Sequence, residues 1–394
     1  MTDVRSVMDW LVDGARDAPA PQNVLAEMCT RLTNCGLPLW RVNIFVRTLH
    51  PDLMGRRMRW EAGKSVEIFE TPIEMLGTEG YRRSPVVAIM TSGRPLRRRL
   101  LAPDCPFDFP VLEEIKGEGA TDYLIMPLHF VSGETHAISW TTQSPAGFTE
   151  SEIAALEAVR APLARVAEIW ALRRVATNLL DTYVGRQAGA RILAGQIRRG
   201  HTESIAAAIW LSDLRGFTEL ADRTPGPALI ELLNRYFDCQ VPAILAQGGE
   251  VLKYMGDAVL AIFPIAGDAS AVCRAALAAA LAFRAEVAKM NTATGDDPAA
   301  HLRFGVALHV GDVLYGNVGG GNRLDFTAIG PAVNLAARLE KLARDLGRAI
   351  IASGAFAQAC PQEFIPLGER PLRGVAAPQP AFGLADEAEA PGRG

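Results

Sequence analysis

The chain has 394 residues and a mass of 42.4 kDa, is 49% apolar and 21% charged, and carries a net charge of −4. This composition excludes a generally disordered chain and supplies core material for about two domains of ~100–200 residues each. The balance of 40 basic against 44 acidic residues gives no overall bias toward nucleic acid.

Residues 4–34 show helical spacing. Arg41–His50 and Met58–Ala62 have strand composition, with Val42, Ile44 and Val46 alternating. Arg97-Arg98-Arg99 is a charge run expected in a solvated loop. Tyr123–Phe130 and His136–Thr142 are two more strands around a Ser132-Gly133 turn. Thr149, with Glu152 three residues on, has the pattern of a capping box and opens a helix running to about Leu180. Val159, Leu163, Val166 and Trp170 are spaced four, three and four. After a slip, Leu172, Val175 and Leu179 resume the phase. That suits a helix packing on its own domain and then pairing with a partner chain, or a single amphipathic helix.

From about His201 strands alternate with long helices. Ile205–Leu211 reads as a strand, and Thr224-Pro225 as the cap and first turn of a helix ending at Gly248-Gly249. Val251–Tyr254 and Val259–Phe263 form a hairpin around Met255-Gly256-Asp257. Asp268 caps an alanine-rich helix. Leu302–His309 is a strand, and the glycine-rich stretch Gly316–Gly321 leads into another. Pro331–Leu346 is a helix stopped by Gly347, and Arg348–Ala352 a strand. The order β-α-β-β-α-β with later additions predicts an α+β, ferredoxin-like domain. The most apolar window, Ala271–Phe283, is broken by Arg274 and too short to span a bilayer, so no membrane span is expected. The start shows no leader pattern. Six scattered cysteines, at positions 29, 35, 105, 239, 273 and 360, read as reduced thiols of a cytoplasmic protein.

Five positions carry candidate chemistry. Asp213 ends an apolar strand and is followed by a Gly216 turn entering a helix, an arrangement suited to a metal-bound phosphate: the carboxylate holds a hard cation and the turn amides face the anion. Asp257 lies in the hairpin 44 residues later, and reaches the same site if the hairpin neighbours the first strand. Asn334 and Arg338, four apart, share one helix face, where a guanidinium suits a phosphoryl transition state. Lys253 precedes Asp257 by four residues on the hairpin. Singly, each also reads as an ordinary turn or solvent residue.

Together and in order, these segments resemble the class III nucleotidyl cyclase catalytic domain, the adenylate and guanylate cyclase family. The matching text is Trp210-Leu-Ser-Asp-Leu-Arg-Gly-Phe-Thr218, Gly248-Gly-Glu-Val-Leu-Lys-Tyr-Met-Gly-Asp257, Gly305–Gly311, Gly316–Gly319 and Asp325-Phe-Thr-Ala-Ile-Gly-Pro-Ala-Val-Asn-Leu-Ala-Ala-Arg338. The resemblance implies a cytoplasmic homodimer with ATP as substrate, cyclic AMP and pyrophosphate as products, and two Mg2+ or Mn2+ ions per site. It implies that Asp213 and Asp257, with the Leu214 carbonyl, hold the metals, and that the amides around Phe217 and Thr218 cradle the triphosphate. Asn334 and Arg338 would position the ribose and stabilise the transferring phosphoryl group from the other subunit. Arg348 and Arg373 match basic phosphate contacts, Arg373 in place of a more usual lysine. Lys253 and Thr327 stand at the base-recognition positions and resemble the Lys–Thr adenylate cyclases. A guanylate cyclase and an idle nucleotide-binding or dimerisation module are the alternatives.

Residues 1–170 resemble a GAF-like sensor for an unknown small-molecule or protein regulator. Residues 171–201 resemble a helical transducing linker, 202–385 form the catalytic domain, and 386–394 are expected to be a disordered tail. Neither nucleic acid nor a membrane enters as a partner.

Overall fold

The N-terminal helical spacing becomes two helices, α1 (Arg5–Val12) and α2 (Pro21–Asn34). Gly14 and Pro19 interrupt the run, and Pro21 starts α2 at a position where its missing N–H is not needed. The computed structural model describes residues 3–293, 301–321, 323–361 and 363–387. It divides into two units, Met1–Leu179 and Leu180–Gly394, with the division inside one helix.

The first unit continues with β1 (Arg41–Arg47), β2 (Leu53–Glu61), β3 (Glu67–Pro72), α3 (Glu79–Arg82), α4 (Pro85–Ser92), β4 (Leu96–Arg99) and α5 (Pro110–Gly117). It ends with β5 (Asp122–His129), β6 (Thr135–Thr142) and α6 (Glu150–Val184). Its sheet runs β3-β2-β1-β6-β5-β4, antiparallel throughout. One face packs Val42, Ile44, Trp60 and Trp140 against α1, α2 and the start of α6. The opposite face carries a smaller cluster with Ile89 of α4 and Ile115 of α5. The capping box forms: Thr149 N–H donates to Glu152 Oε2 at 2.7 Å, and Glu152 N–H to Thr149 Oγ1 at 3.3 Å.

The arginine run is not a solvated loop. It is strand β4, and Arg97 donates twice to the fully buried carboxylate of Asp122 while Arg98 pairs with Asp108. A buried Asp requires a paired cation, and strand pairing with β5 delivers it.

The second unit holds α7 (Arg186–Leu193), β7 (Thr202–Leu214), α8 (Phe217–Arg223), α9 (Gly226–Ala246), β8 (Glu250–Met255), β9 (Ala258–Pro264) and α10 (Ala269–Ala293). After these come β10 (Phe304–Gly320), β11 (Arg323–Ile329), α11 (Pro331–Asp345), β12 (Ile350–Ser353), α12 (Gly354–Ala359), β13 (Phe364–Arg370) and β14 (Gln379–Leu384). The sheet order is β13-β14-β12-β10-β7-β9-β8, with β11 on β10. Only β10 and β12 are parallel. Trp210, Tyr236, Phe263 and Phe283 form the core between the sheet and α9 and α10. Ala276, Ala279 and Ala280 are fully buried, so the alanine-rich helix lies close against its neighbours. On the other face α7 and α11 contribute Ala188, Ala332 and Ala336.

Three local expectations change. The glycines Gly316, Gly319 and Gly320 lie inside the 17-residue strand β10, not in a connecting stretch. A Cβ at Gly316 would sit 2.3 Å from the His201 carbonyl oxygen, and one at Gly319 2.3 Å from that of Arg323, so close strand approach requires glycine there. Thr224 does not cap α9; it ends α8, and Pro225 precedes the first turn of α9 without a side-chain cap. Asp386 and Glu387, expected to begin a tail, form a 3-10 turn anchored by Arg284; residues 388–394 lie outside the described residues. No described helix is long and apolar enough to cross a membrane.

Candidate active site

Asp213 stands at the end of β7, whose neighbours are β10 and β9. β9 returns from β8 through Met255-Gly256-Asp257, with Gly256 at φ +68. Strand order therefore brings Asp257 beside Asp213. Asp257 Oδ2 accepts from the Leu214 N–H at 3.0 Å. Burial, and then the Asp213 carboxylate, push the Asp257 carboxyl up to about 7. Arg344 of α11 supplies part of the missing positive charge, donating from Nη2 to Asp213 Oδ2 at 2.6 Å. Beneath the pair, the Tyr236 hydroxyl is buried without a partner; burial first and the two carboxylates next raise its pKa.

The two carboxylates are partly desolvated with one guanidinium, that of Arg344, on Asp213, and their oxygen-only chemistry suits a hard divalent ion such as Mg2+ or Mn2+. Among the described residues no group of three or more His, Cys, Asp or Glu forms a metal cage. A cation held by two carboxylates and a backbone carbonyl keeps open positions for water and phosphate, the coordination magnesium favours. The residues present fit such an ion.

Phe217 and Thr218 open α8 directly after Gly216, which adopts φ +73. The first-turn N–H groups of a helix have no partner within it. Beside this turn is a cavity of about 520 Å³ lined by Gly216 and five arginines: Arg215, Arg284, Arg303, Arg344 and Arg348. Arg215 forms an ion pair with Glu340, both well buried, and its Nη2 is left without a partner. Arg348 Nη1 donates to the Glu387 carbonyl at 2.5 Å. The Glu387 carboxylate accepts from the N–H groups of Ala349 at 3.1 Å and Ile350 at 3.3 Å. The acidic turn at 386–387 thus sits against the basic cavity.

Lys253 projects from β8 and donates from Nζ to Asp325 Oδ2 at 2.6 Å. The sequence named Thr327, not Asp325, as its companion. Asp325 and Thr327 are two apart on β11, hence on one face of that strand, and this alternation was the available signal. Thr327 is 3% exposed and its hydroxyl has no partner. Asn334 is exposed and Arg338 half-buried on α11. No hydrogen bond joins either side chain to Asp213, Asp257 or Lys253 among the described residues. Arg338 lies six residues before Arg344, about 9 Å along the helix axis. Arg373 is exposed after Leu372 and is not drawn into the cluster. The residues missed by sequence reading, Arg215, Arg284, Arg303 and Arg344, come from four separate elements or junctions and share no spacing.

Residues 201–359 match the family model described as the adenylate and guanylate cyclase catalytic domain. The matched segment contains every candidate residue except Arg373. Across 169 residues the chain is 32% identical to adenylate cyclase 1 of Rhizobium meliloti, covering 41% of this chain and 25% of that protein. Across 162 residues it is 33% identical to an adenylate cyclase of Anabaena cylindrica, covering 40% and 31%. The chain therefore spans less than a third of the length of these relatives. A crystal structure of an adenylyl cyclase from P. aeruginosa aligns at 28% identity and a TM-score of 0.43, over 49% of this chain and all of that one.

Proposed function

We propose that this chain is an adenylate cyclase that works as a homodimer and is regulated through a GAF-like N-terminal unit. The observation that carries the reading is the Asp213/Asp257 carboxylate pair set beside a cavity lined by five arginines. One side suits a divalent cation and the other a polyphosphate. The reaction joins the ribose 3′-oxygen to the α-phosphorus of ATP while the bond to the bridging oxygen breaks and pyrophosphate leaves.

Asp213 and Asp257, with the Leu214 carbonyl, hold Mg2+ or Mn2+, which when bound neutralises phosphate charge and lowers the pKa of the attacking hydroxyl. The N–H groups at Phe217 and Thr218 and the Arg348 guanidinium receive the β- and γ-phosphates. Arg373 is the further phosphate contact. Lys253 donates to an adenine ring nitrogen, and the Thr327 hydroxyl accepts from the exocyclic amine. The unpartnered Thr327 oxygen supports this role, since a buried hydroxyl left alone costs about 1–3 kcal/mol.

Asn334 holds the ribose, and Arg338 meets the charge developing on the phosphoryl group. Their separation from Asp213 within one chain supports their delivery by a partner subunit, so that each dimer has two shared sites. The antiparallel sheet flanked by helices and followed by the long α6 supports the GAF-like reading of the first unit.

Purified chain given ATP or GTP, with magnesium or manganese, tests the proposal. Cyclic AMP should form with a higher kcat/KM for ATP. Preferential cyclic GMP formation would assign a guanylate cyclase, and no product with either nucleotide would assign an idle module.

A further inference from the structure

In the first unit, alternation places Val42, Ile44, Met58 and Trp60 on the main core face. It sends Arg41, Asn43 and Phe45 of β1 to the other face. Register brings Arg57 opposite Phe45 and Arg59 opposite Asn43 on that same face. Four buried polar atoms there have no hydrogen-bond partner: Arg41 Nε, Asn43 Oδ1, Arg57 Nε and Arg59 Nε. Three of them belong to permanent cations.

Their charges are unequally compensated. Arg41 pairs with Glu61 and Glu118, and Arg59 has Glu67 at 4.0 Å. Among the described residues Arg57 has no carboxylate within ion-pairing distance; its guanidinium lies 4.2 Å from the centre of the Phe69 ring. Burial first, then the Arg59 charge, lowers its pKa, with Arg41 adding to the effect and Glu114 and Glu67 opposing it. A half-buried cation beside like charges is costly unless something anionic meets it.

A cavity of about 330 Å³ opens onto Arg57. Its walls include Phe45, Phe69, Met75, Tyr81 and Met90. That volume falls at the small end of ligand pockets, and its walls combine apolar and aromatic side chains with the Arg56–Glu70 ion pair, the exposed Arg47 and the half-buried, unpaired Arg57 fork. We propose that this cavity binds a small organic carboxylate with an apolar or aromatic body, its carboxylate taken by the Arg57 guanidinium and its body by Phe45, Met75, Tyr81 and Met90. The fork geometry favours a planar carboxylate. The walls disfavour a fully hydrated inorganic anion. The site lies wholly in the first unit, so it stands independently of the cyclase reading.

The test uses the full chain, calorimetric titration and thermal unfolding, with phenylacetate as probe and phenylacetamide and inorganic phosphate as controls. Phenylacetate should bind one per chain at millimolar concentration or below, and each control at least tenfold more weakly. Arg57→Met should abolish phenylacetate binding and unfold at a higher temperature than wild type without ligand, because it removes the uncompensated charge. Arg57→Lys should bind at an intermediate level. Met75→Trp, at an exposed rim position, should fill the cavity and weaken phenylacetate at least tenfold while leaving Arg57 in place. Absence of phenylacetate binding, an amide that binds as well as the acid, phosphate binding as tightly as phenylacetate, or binding unaffected by both Arg57→Met and Met75→Trp would each overturn the proposal.

Discussion

Lys253→Glu reverses a charge that the fold itself uses, so its effects on stability and on base choice must be separated. Lys253 Nζ and Asp325 Oδ2 are 2.6 Å apart, with side chains 28% and 57% exposed. An ion pair that exposed contributes about 0–1 kcal/mol. Glutamate at 253 would set two carboxylates about 4 Å apart, a repulsion of ~1 kcal/mol in water and ~4 kcal/mol at an effective dielectric of 20. The exposure favours the lower figure, so the fold should lose about 1–2 kcal/mol. The effect on substrate choice has another origin. An acceptor replaces the donor beside the adenine ring nitrogen, and a buried polar group without its partner costs about 1–3 kcal/mol, roughly ten- to hundredfold in selectivity.

Asp325→Asn separates the two. In the Lys253→Glu/Asp325→Asn double variant the repulsion is gone, so the urea midpoint should return toward wild type. The ATP-to-GTP ratio of kcat/KM should stay depressed. Thr327→Ala should lower that ratio less, because its bond to the amine is neutral and water can replace it. Denaturation curves and both kcat/KM values are needed for all four proteins. A ratio unchanged in Lys253→Glu, or one that recovers in step with stability in the double variant, would refute the reasoning.

Asp213→Ala and Asp257→Ala should each abolish turnover at saturating magnesium while circular dichroism stays native; near wild-type activity in either would remove the metal-ligand assignment. Mixing Asp257→Ala with Arg338→Ala protein should restore about a quarter of wild-type activity, since half the exchanged dimers are mixed and each of those has one intact site of two. No recovery despite verified subunit exchange would place the whole site in one chain. His309, buried against Ser353 Oγ at 2.7 Å, has its pKa lowered from 6.5 to about 4 by burial. Its folded pKa lies below its unfolded one, so it leaves stability untouched above about pH 7. It then withdraws stability as pH falls through 6.5 toward 4, when only the unfolded chain takes up the proton. At ~1.4 kcal/mol per unit the loss approaches roughly 3 kcal/mol. Urea unfolding near neutrality and near pH 4.5 should show a smaller acid loss in His309→Asn; an equal loss in both proteins would count against it.

Short-range signals in this chain are legible because their physics is short-range. The Thr149/Glu152 box closes over three residues. The 255–257 turn follows from one glycine, and the apolar spacing of α11 follows from a single helical period. The family text around Asp213, Asp257 and Asn334 can be read the same way, as residues in order. Register and strand order decide the rest. Arg97 meets Asp122 across 25 residues, Lys253 meets Asp325 across 72, and Arg344 meets Asp213 across 131. An arginine in a charge run carries no mark that separates a solvated side chain from one paired with a buried carboxylate. The five-arginine cavity and the uncompensated Arg57 exist only after distant segments pack, because charge compensation depends on distance in space, whereas periodicity and caps depend on distance along the chain.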